Sequence, residues 1–305
     1  MSVDMSSKID ELAHNIGEVI NRADALMDKF EKNEGDIAGI EESLKNKANL
    51  LTQNLEWSVG AGGKFTNIND ALSEASKYSK VHKVTGSLIT LKLKSGFVFN
   101  EKIHIVNQDL NYVIIESEDT EVGINASSNV FGSSETNILF QGNGAKLPVL
   151  RIMVNLDTKS AGNKKVVLMR LLQSYGIIST NAGCKNAAWD AVMVEGASTL
   201  FADGSIIENA GYDGIFCNQG SIVSVNGATI KGSARYGILT RLGGYVSANN
   251  AKLIDQVTSG TYPLSTMLQC ESGIIQAKGL ITTGSTAKLS NITPNQITNS
   301  GIIFK

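Results

Sequence analysis

The chain has 305 residues, of which 42% are hydrophobic and 18% charged, enough apolar material for a real core, so wholesale disorder is excluded. A formal charge of −2 gives no global attraction to nucleic acid or anionic lipid, and no nucleic-acid partner is expected. Cys184, Cys217 and Cys270 are odd in number and far apart, which argues against a disulfide framework or a metal cluster; they read as buried free thiols, and no cofactor or metal is expected.

Residues 1–20 carry Asp4, Lys8, Asp10 and Glu11 and no apolar signal-peptide core, and no stretch approaches 18 uninterrupted apolar residues. Neither signal-peptide secretion nor membrane insertion is expected. Every seventh residue from Ile9 gives Ile9, Ile16, Ala23, Phe30, Ile37, Leu44 and Leu51, with the companion series Leu12, Val19, Leu26, Asn33, Ile40 and Lys47. Eleven of these thirteen positions are apolar, the seam of a left-handed coiled coil rather than of one helix packed on a globule. Ile20 and Met27 widen the stripe beyond a two-stranded seam, so residues 1–53 are expected to form the stalk of a parallel homotrimer. Asn33, followed by Gly35 and Gly39, marks either a register point or a tolerated break, and His14 lies on the outer face.

Residues 54–84 read as a joint and a cap. The glycines of Trp57-Ser58-Val59-Gly60-Ala61-Gly62-Gly63-Lys64-Phe65 suggest a phosphate loop, but a coiled coil rather than a strand is expected before them, and Lys64 is followed by Phe65 instead of a hydroxyl residue. Thr66 or Asn67 can cap a short helix with Ile68, Ala71, Leu72, Ala75 and Tyr78 on one face, suited to cover the end of a sheet. The stretch VGAGGKFTNINDALSEASKY, with SGFVFNEKIHI after it, resembles the entry segment of bacteriophage tailspike and tail-fibre proteins that carry a right-handed parallel β-helix of the pectate-lyase type. The resemblance covers residues 54–120 by pattern and the remainder by architecture.

Independently of that resemblance, residues 85–305 repeat with a period of 23. Val192, Ile215 and Ile238 form one column, Ile177, Leu200, Val223 and Val246 a second, and Cys184, Ile207, Ile230 and Leu253 a third. Asp203-Gly204, Asn226-Gly227 and Asn249-Asn250 recur at one phase and accept positive φ at a turn. Three apolar columns and a fixed turn describe one coil of a single-stranded parallel β-helix, each strand pairing with its copy about 4.8 Å above, and about eight to ten coils fit the length. Leu88 to Lys94 and Tyr112 to Ile115 are strand-like, which places less regular coils upstream. The phase slips by six residues before Gly273-Ile274-Ile275, with Gln256 to Pro263 as the excursion, either a binding loop or a plain insertion.

The same arithmetic sorts the charges. Lys185, Glu208 and Lys231 share a column of alternating sign, which explains Glu208 structurally. Asp190 and Asp213 also share one, which would hold two carboxylates roughly 5 to 5.5 Å apart, as in retaining glycosidases. Trp189 and Tyr212, beside them, could offer flat faces to sugar rings, and Arg241 is a further glycan-binding candidate. Asp190 and Asp213 thus have three readings: turn residues, part of a glycan surface, or a catalytic pair. The acidic run Glu116, Glu118, Asp119 and Glu121 lacks calcium-loop spacing, and His82 and His104 lack ligand partners.

The resemblance implies a virion protein, assembled in the host cytoplasm, that joins another tail or baseplate protein through its stalk and attaches to bacterial surface polysaccharide. It also implies the alternative of a polysaccharide depolymerase, glycosidase or lyase, on the same fold. Attachment is favoured because only one carboxylate pair suggests itself.

Overall fold

The computed structural model describes residues 3–45, 49–80, 88–132, 136–159, 162, 164–256, 266–284 and 287–305. It divides into two compact units, residues 1–49 and 50–305.

Among the described residues the first unit is built on one helix, α1 (Val3–Lys45). It contains no proline, and it runs without interruption through Asn33, Gly35 and Gly39, so these residues do not break it. Its seam faces outward: Ile9 is 64% exposed, Val19 66% and Phe30 69%, with Leu12, Ile16, Ile20, Leu26, Met27 and Ile37 also exposed. The seam is shorter than the heptad count implies. Leu51 is buried in the core of the second unit, and Lys47 lies outside the described residues.

The second unit is mainly β, with one ten-stranded and two eight-stranded sheets. Beyond the first strands, each sheet takes every third strand of the chain, and all the pairings that build the three are parallel. The chain therefore visits the three sheets in turn and returns one strand higher, a connectivity consistent with a parallel β-helix. The β region begins earlier than expected. Leu55–Val59, inside the segment read as a joint, is a strand of the ten-stranded sheet and pairs with Ile89–Leu93. A strand therefore does precede the glycines, but Lys64 lies over the Trp57 ring, 4.1 Å from its centroid.

Helix α2 (Ile68–Ala75) follows, capped by Asn67, whose side chain accepts from the Asp70 N–H at 2.8 Å. Its buried face is Ile68, Ala71, Leu72 and Ala75, as the spacing requires, but the helix ends before Tyr78, which opens the strand Tyr78–Lys80 instead. Tyr112 reaches the carbonyl oxygens of Ala75 and Tyr78, both at 2.9 Å, and burial pushes its phenol up to about 12.

Two of the three expected columns stand in register. Val192, Ile215 and Ile238 pair in succession, as do Cys184, Ile207, Ile230 and Leu253, and all seven are fully buried. The other column needs a correction: Leu200, Val223 and Val246 align, but the residue beneath Leu200 is Gly176, while Ile177 pairs with Phe201 and is only partly buried. The cause is one extra turn residue. Gln173 alone takes positive φ in the lower coil, whereas Gly196 and Ala197 both do in the next.

The turn dipeptides behave as read, with Gly204, Gly227 and Asn250 at φ 68, 66 and 56°. Their neighbours form a ladder: the Asn226 N–H donates to Asp203 Oδ1 at 2.7 Å and the Asn249 N–H to Asn226 Oδ1 at 2.9 Å. Each side chain thus satisfies a backbone donor of the coil above it. The phase slip is present, since Val246 pairs with Ile275, but most of the excursion that produces it lies outside the described residues.

Candidate functional site

The turns that lead from the strand Gly183–Lys185 to Val192–Glu195, and from Ile206–Glu208 to Asp213–Cys217, bring four of the candidate residues together. Small residues let these turns nest. A Cβ on Gly211 would sit 2.7 Å from the Ala188 carbonyl oxygen, too close for any side chain.

Asp190 and Asp213 occupy adjacent coils as expected, but both are shut from solvent, at 4% and 0% exposure. The Asp213 N–H donates to Asp190 Oδ1 at 3.1 Å. Arg235, one repeat beyond Tyr212, grips the Asp213 carboxylate with Nε on Oδ1 at 2.8 Å and Nη2 on Oδ2. Burial, followed by the charge of Asp213, pushes the Asp190 carboxyl up to about 7. Burial also raises Asp213, against the pull of Arg235. These side chains can hold a proton and knit two coils together. They do not reach the surface, where a glycosidic bond would have to lie.

Trp189 and Tyr212 stack on each other, with centroids 4.4 Å apart and planes 7° from parallel. Lys165 Nζ lies 4.1 Å from the Trp189 centroid and Arg235 Cζ 3.4 Å from that of Tyr212. A ring stacked at 4.4 Å leaves no room for a cation on the same side, so the faces of both rings are occupied and a ligand would meet their edges. Arg241 is not part of this group. It sits at the far end of the strand Tyr236–Arg241 and pairs with Glu271 at 2.7 Å in the next coil.

Beside the stack lies a trough of about 360 Å³ lined by Asp157, Lys159, Asn186, Ala188, Asn209 and Gly211. On one side of it the buried Thr158 hydroxyl donates to the Lys164 carbonyl at 2.8 Å.

Lys185, Glu208 and Lys231 do align, but the ion pairs of the lysines are with Glu121 and with Asp255 at 3.7 Å. The acidic run is likewise engaged locally: Glu116 pairs with Arg151, and Glu118 and Asp119 accept from the backbone N–H groups of Ser95 and Gly96, which hold both carboxyls below their ordinary range. Among the described residues no group of three or more His, Cys, Asp or Glu side chains could hold a metal ion. His104 contacts Asn143 at 2.9 Å, and His82 lies outside the described residues. All three cysteines are free and buried; burial pushes the Cys184 and Cys217 thiols up to about 12.

Sequence reasoning missed Arg235, although adding 23 to Tyr212 reaches it. Lys165 carried no such signal, because adding 23 to it reaches Ala188, one residue short of Trp189. No known family model matches the chain, and no curated protein matches it.

Proposed function

We propose that the chain is a tail fibre or tailspike protein of a bacteriophage. In this reading three copies assemble in parallel through a coiled coil of α1, the β region is a right-handed parallel β-helix, and its surface binds polysaccharide on the bacterial cell. The stalk joins another tail or baseplate protein of the virion. The observation that carries the reading is the heptad stripe of α1, which is more than half exposed at every described large apolar seam position in a single chain and so calls for further copies. The resemblance of residues 54–120 to phage tailspikes supplies the virion assignment.

Attachment is favoured over depolymerisation because Asp190 and Asp213 lie beneath the surface. The test is to incubate the purified protein with capsular and lipopolysaccharide extracts from a panel of bacteria. Retention of glycan without new reducing ends or unsaturated sugars is expected. Release of oligosaccharide would replace attachment with cleavage, and the absence of any retention would remove the glycan reading.

A further inference from the structure

We infer that a neutral saccharide unit of that polysaccharide binds in a groove on the outer face of the ten-stranded sheet, with Phe201 as its platform. The inference rests on the glycan-attachment reading and gives it a location away from Trp189 and Tyr212.

Strand alternation fixes the direction of Phe201. Leu200 and Ala202 on either side are fully buried, so Phe201 points outward and is 43% exposed. Ile177 lies beneath it in register, and the Tyr175 ring meets it at 5.8 Å with planes tilted by 57°. A tilted contact braces the ring without covering it as stacking covers Trp189 and Tyr212, and a half-exposed aromatic face matches the C–H face of a pyranose. The groove over this ring holds about 460 Å³, within the range of small-ligand sites, and its rim carries Arg151, Ser179, Thr180 and Asp203.

The rim is also held in place. Asp203 Oδ1 accepts from Ser224 Oγ at 2.6 Å and from the Asn226 N–H at 2.7 Å, while its Oδ2 has no partner among the described residues. Arg151 is fixed by Nη1 on Glu116 at 2.9 Å, which leaves its other guanidinium nitrogens to donate. One cation already paired with Glu116, on a rim that also carries the carboxylate of Asp203, gives no surplus of positive charge for a uronic acid, so the fit is to neutral hydroxyls, which can donate to Asp203 and accept from Arg151. The column of Phe201 continues one and two coils on with Ser224 and Ser247, small side chains past which a polymer can extend.

The test uses the full chain on an array of neutral and uronic-acid-bearing capsular and O-antigen polysaccharides, with Phe201→Ala, Phe201→Tyr and Trp189→Ala compared with the unmodified protein. The expected result is retention on neutral polysaccharides, a roughly tenfold loss for Phe201→Ala, binding kept by Phe201→Tyr and Trp189→Ala, and unchanged melting of both Phe201 variants. Equal binding by Phe201→Ala, or binding confined to the acidic polysaccharides, would overturn the site and leave the glycan reading in place. Failure of the unmodified protein to bind any polysaccharide would overturn both.

Discussion

The backbone N–H of Asp213 donates to Asp190 Oδ1 across 3.1 Å, so a carboxylate in one coil is tied to the next coil and not to solvent. This contact makes stability depend on pH. Asp190 titrates at an ordinary value of 3.8 when free and at about 7 when folded, because burial and then the Asp213 charge disfavour its ionised form. The folded chain therefore keeps a proton that the unfolded chain has released. The cost is absent below about pH 4, grows as pH rises, and is complete above about pH 7. Asp190→Asn retains an oxygen acceptor for the Asp213 N–H and cannot ionise. Urea unfolding of the native chain should weaken between pH 5 and 8 by a few kcal/mol more than that of Asp190→Asn. Parallel pH profiles for the two proteins would contradict the assignment. Glu118 and Asp119, held below their ordinary range, act in the opposite sense at lower pH, while Asp213 and Glu101, both raised by burial, act in the same sense in both proteins, so it is the difference between the two profiles that reports Asp190.

Arg235 is the cation that makes the buried Asp213 tolerable. Arg235→Met leaves a fully buried carboxylate without its partner, which costs about 3 to 5 kcal/mol in comparable cases. Adding Asp213→Asn should recover much of that loss, because the uncompensated charge is then gone. Chemical denaturation of the two single variants and the double variant measures the coupling, and simple additivity would show that the pair is not the unit described here.

The exposed stripe of α1 makes a separate prediction about assembly. Ile16 is 51% exposed in the single chain and lies on the proposed seam. Ile16→Asp would place a charge in that seam at a cost of several kcal/mol in the assembled form and almost nothing in the monomer. Light scattering should report three chains of 32.5 kDa for the native protein and a smaller species for the variant at micromolar concentration. A native mass of two chains, or a variant of unchanged mass, would reject the trimeric stalk.

The sheets were legible because a coil buries side chains from three strands at fixed phases, and a core repeats wherever its cross-section repeats. Ile207, Ile230 and Leu253 therefore stand where addition of 23 places them. Ile177 failed the same test because one additional turn residue shifts the phase by one and sets Gly176 beneath Leu200, while the more hydrophobic Ile177 sits where the period of 23 lands, so hydrophobicity and period together point one residue too far. The candidate site was legible in its placement and not in its exposure. Spacing brought Asp190 to Asp213 and Trp189 to Tyr212, but whether a residue at a bend turns inward depends on local backbone angles that no periodicity records. Phe201 escaped notice for a related reason, since its value lies in the absence of a stacking neighbour.

The last prediction concerns the turn ladder, where chemistry and geometry can be separated at one residue. Asn226 Oδ1 accepts from the Asn249 N–H at 2.9 Å and from Ser247 Oγ at 2.8 Å, and Asn226 Nδ2 donates to Ser224 Oγ at 2.8 Å. Asn226→Ala removes the acceptor and leaves a backbone donor of the next coil without it, which should cost about 1 to 3 kcal/mol. Asn226→Asp keeps an acceptor in the same place but sets a second carboxylate one strand spacing, about 4.8 Å, from Asp203. Its penalty should therefore shrink on protonation near pH 4 and on addition of salt, neither of which should relieve the alanine variant. Thermal melts of the two variants at pH 4 and pH 7, with and without 1 M sodium chloride, separate the cases. A salt-independent loss in Asn226→Asp would mean that Asn226 is held there by its Nδ2 donation to Ser224 and not by neutrality beside Asp203.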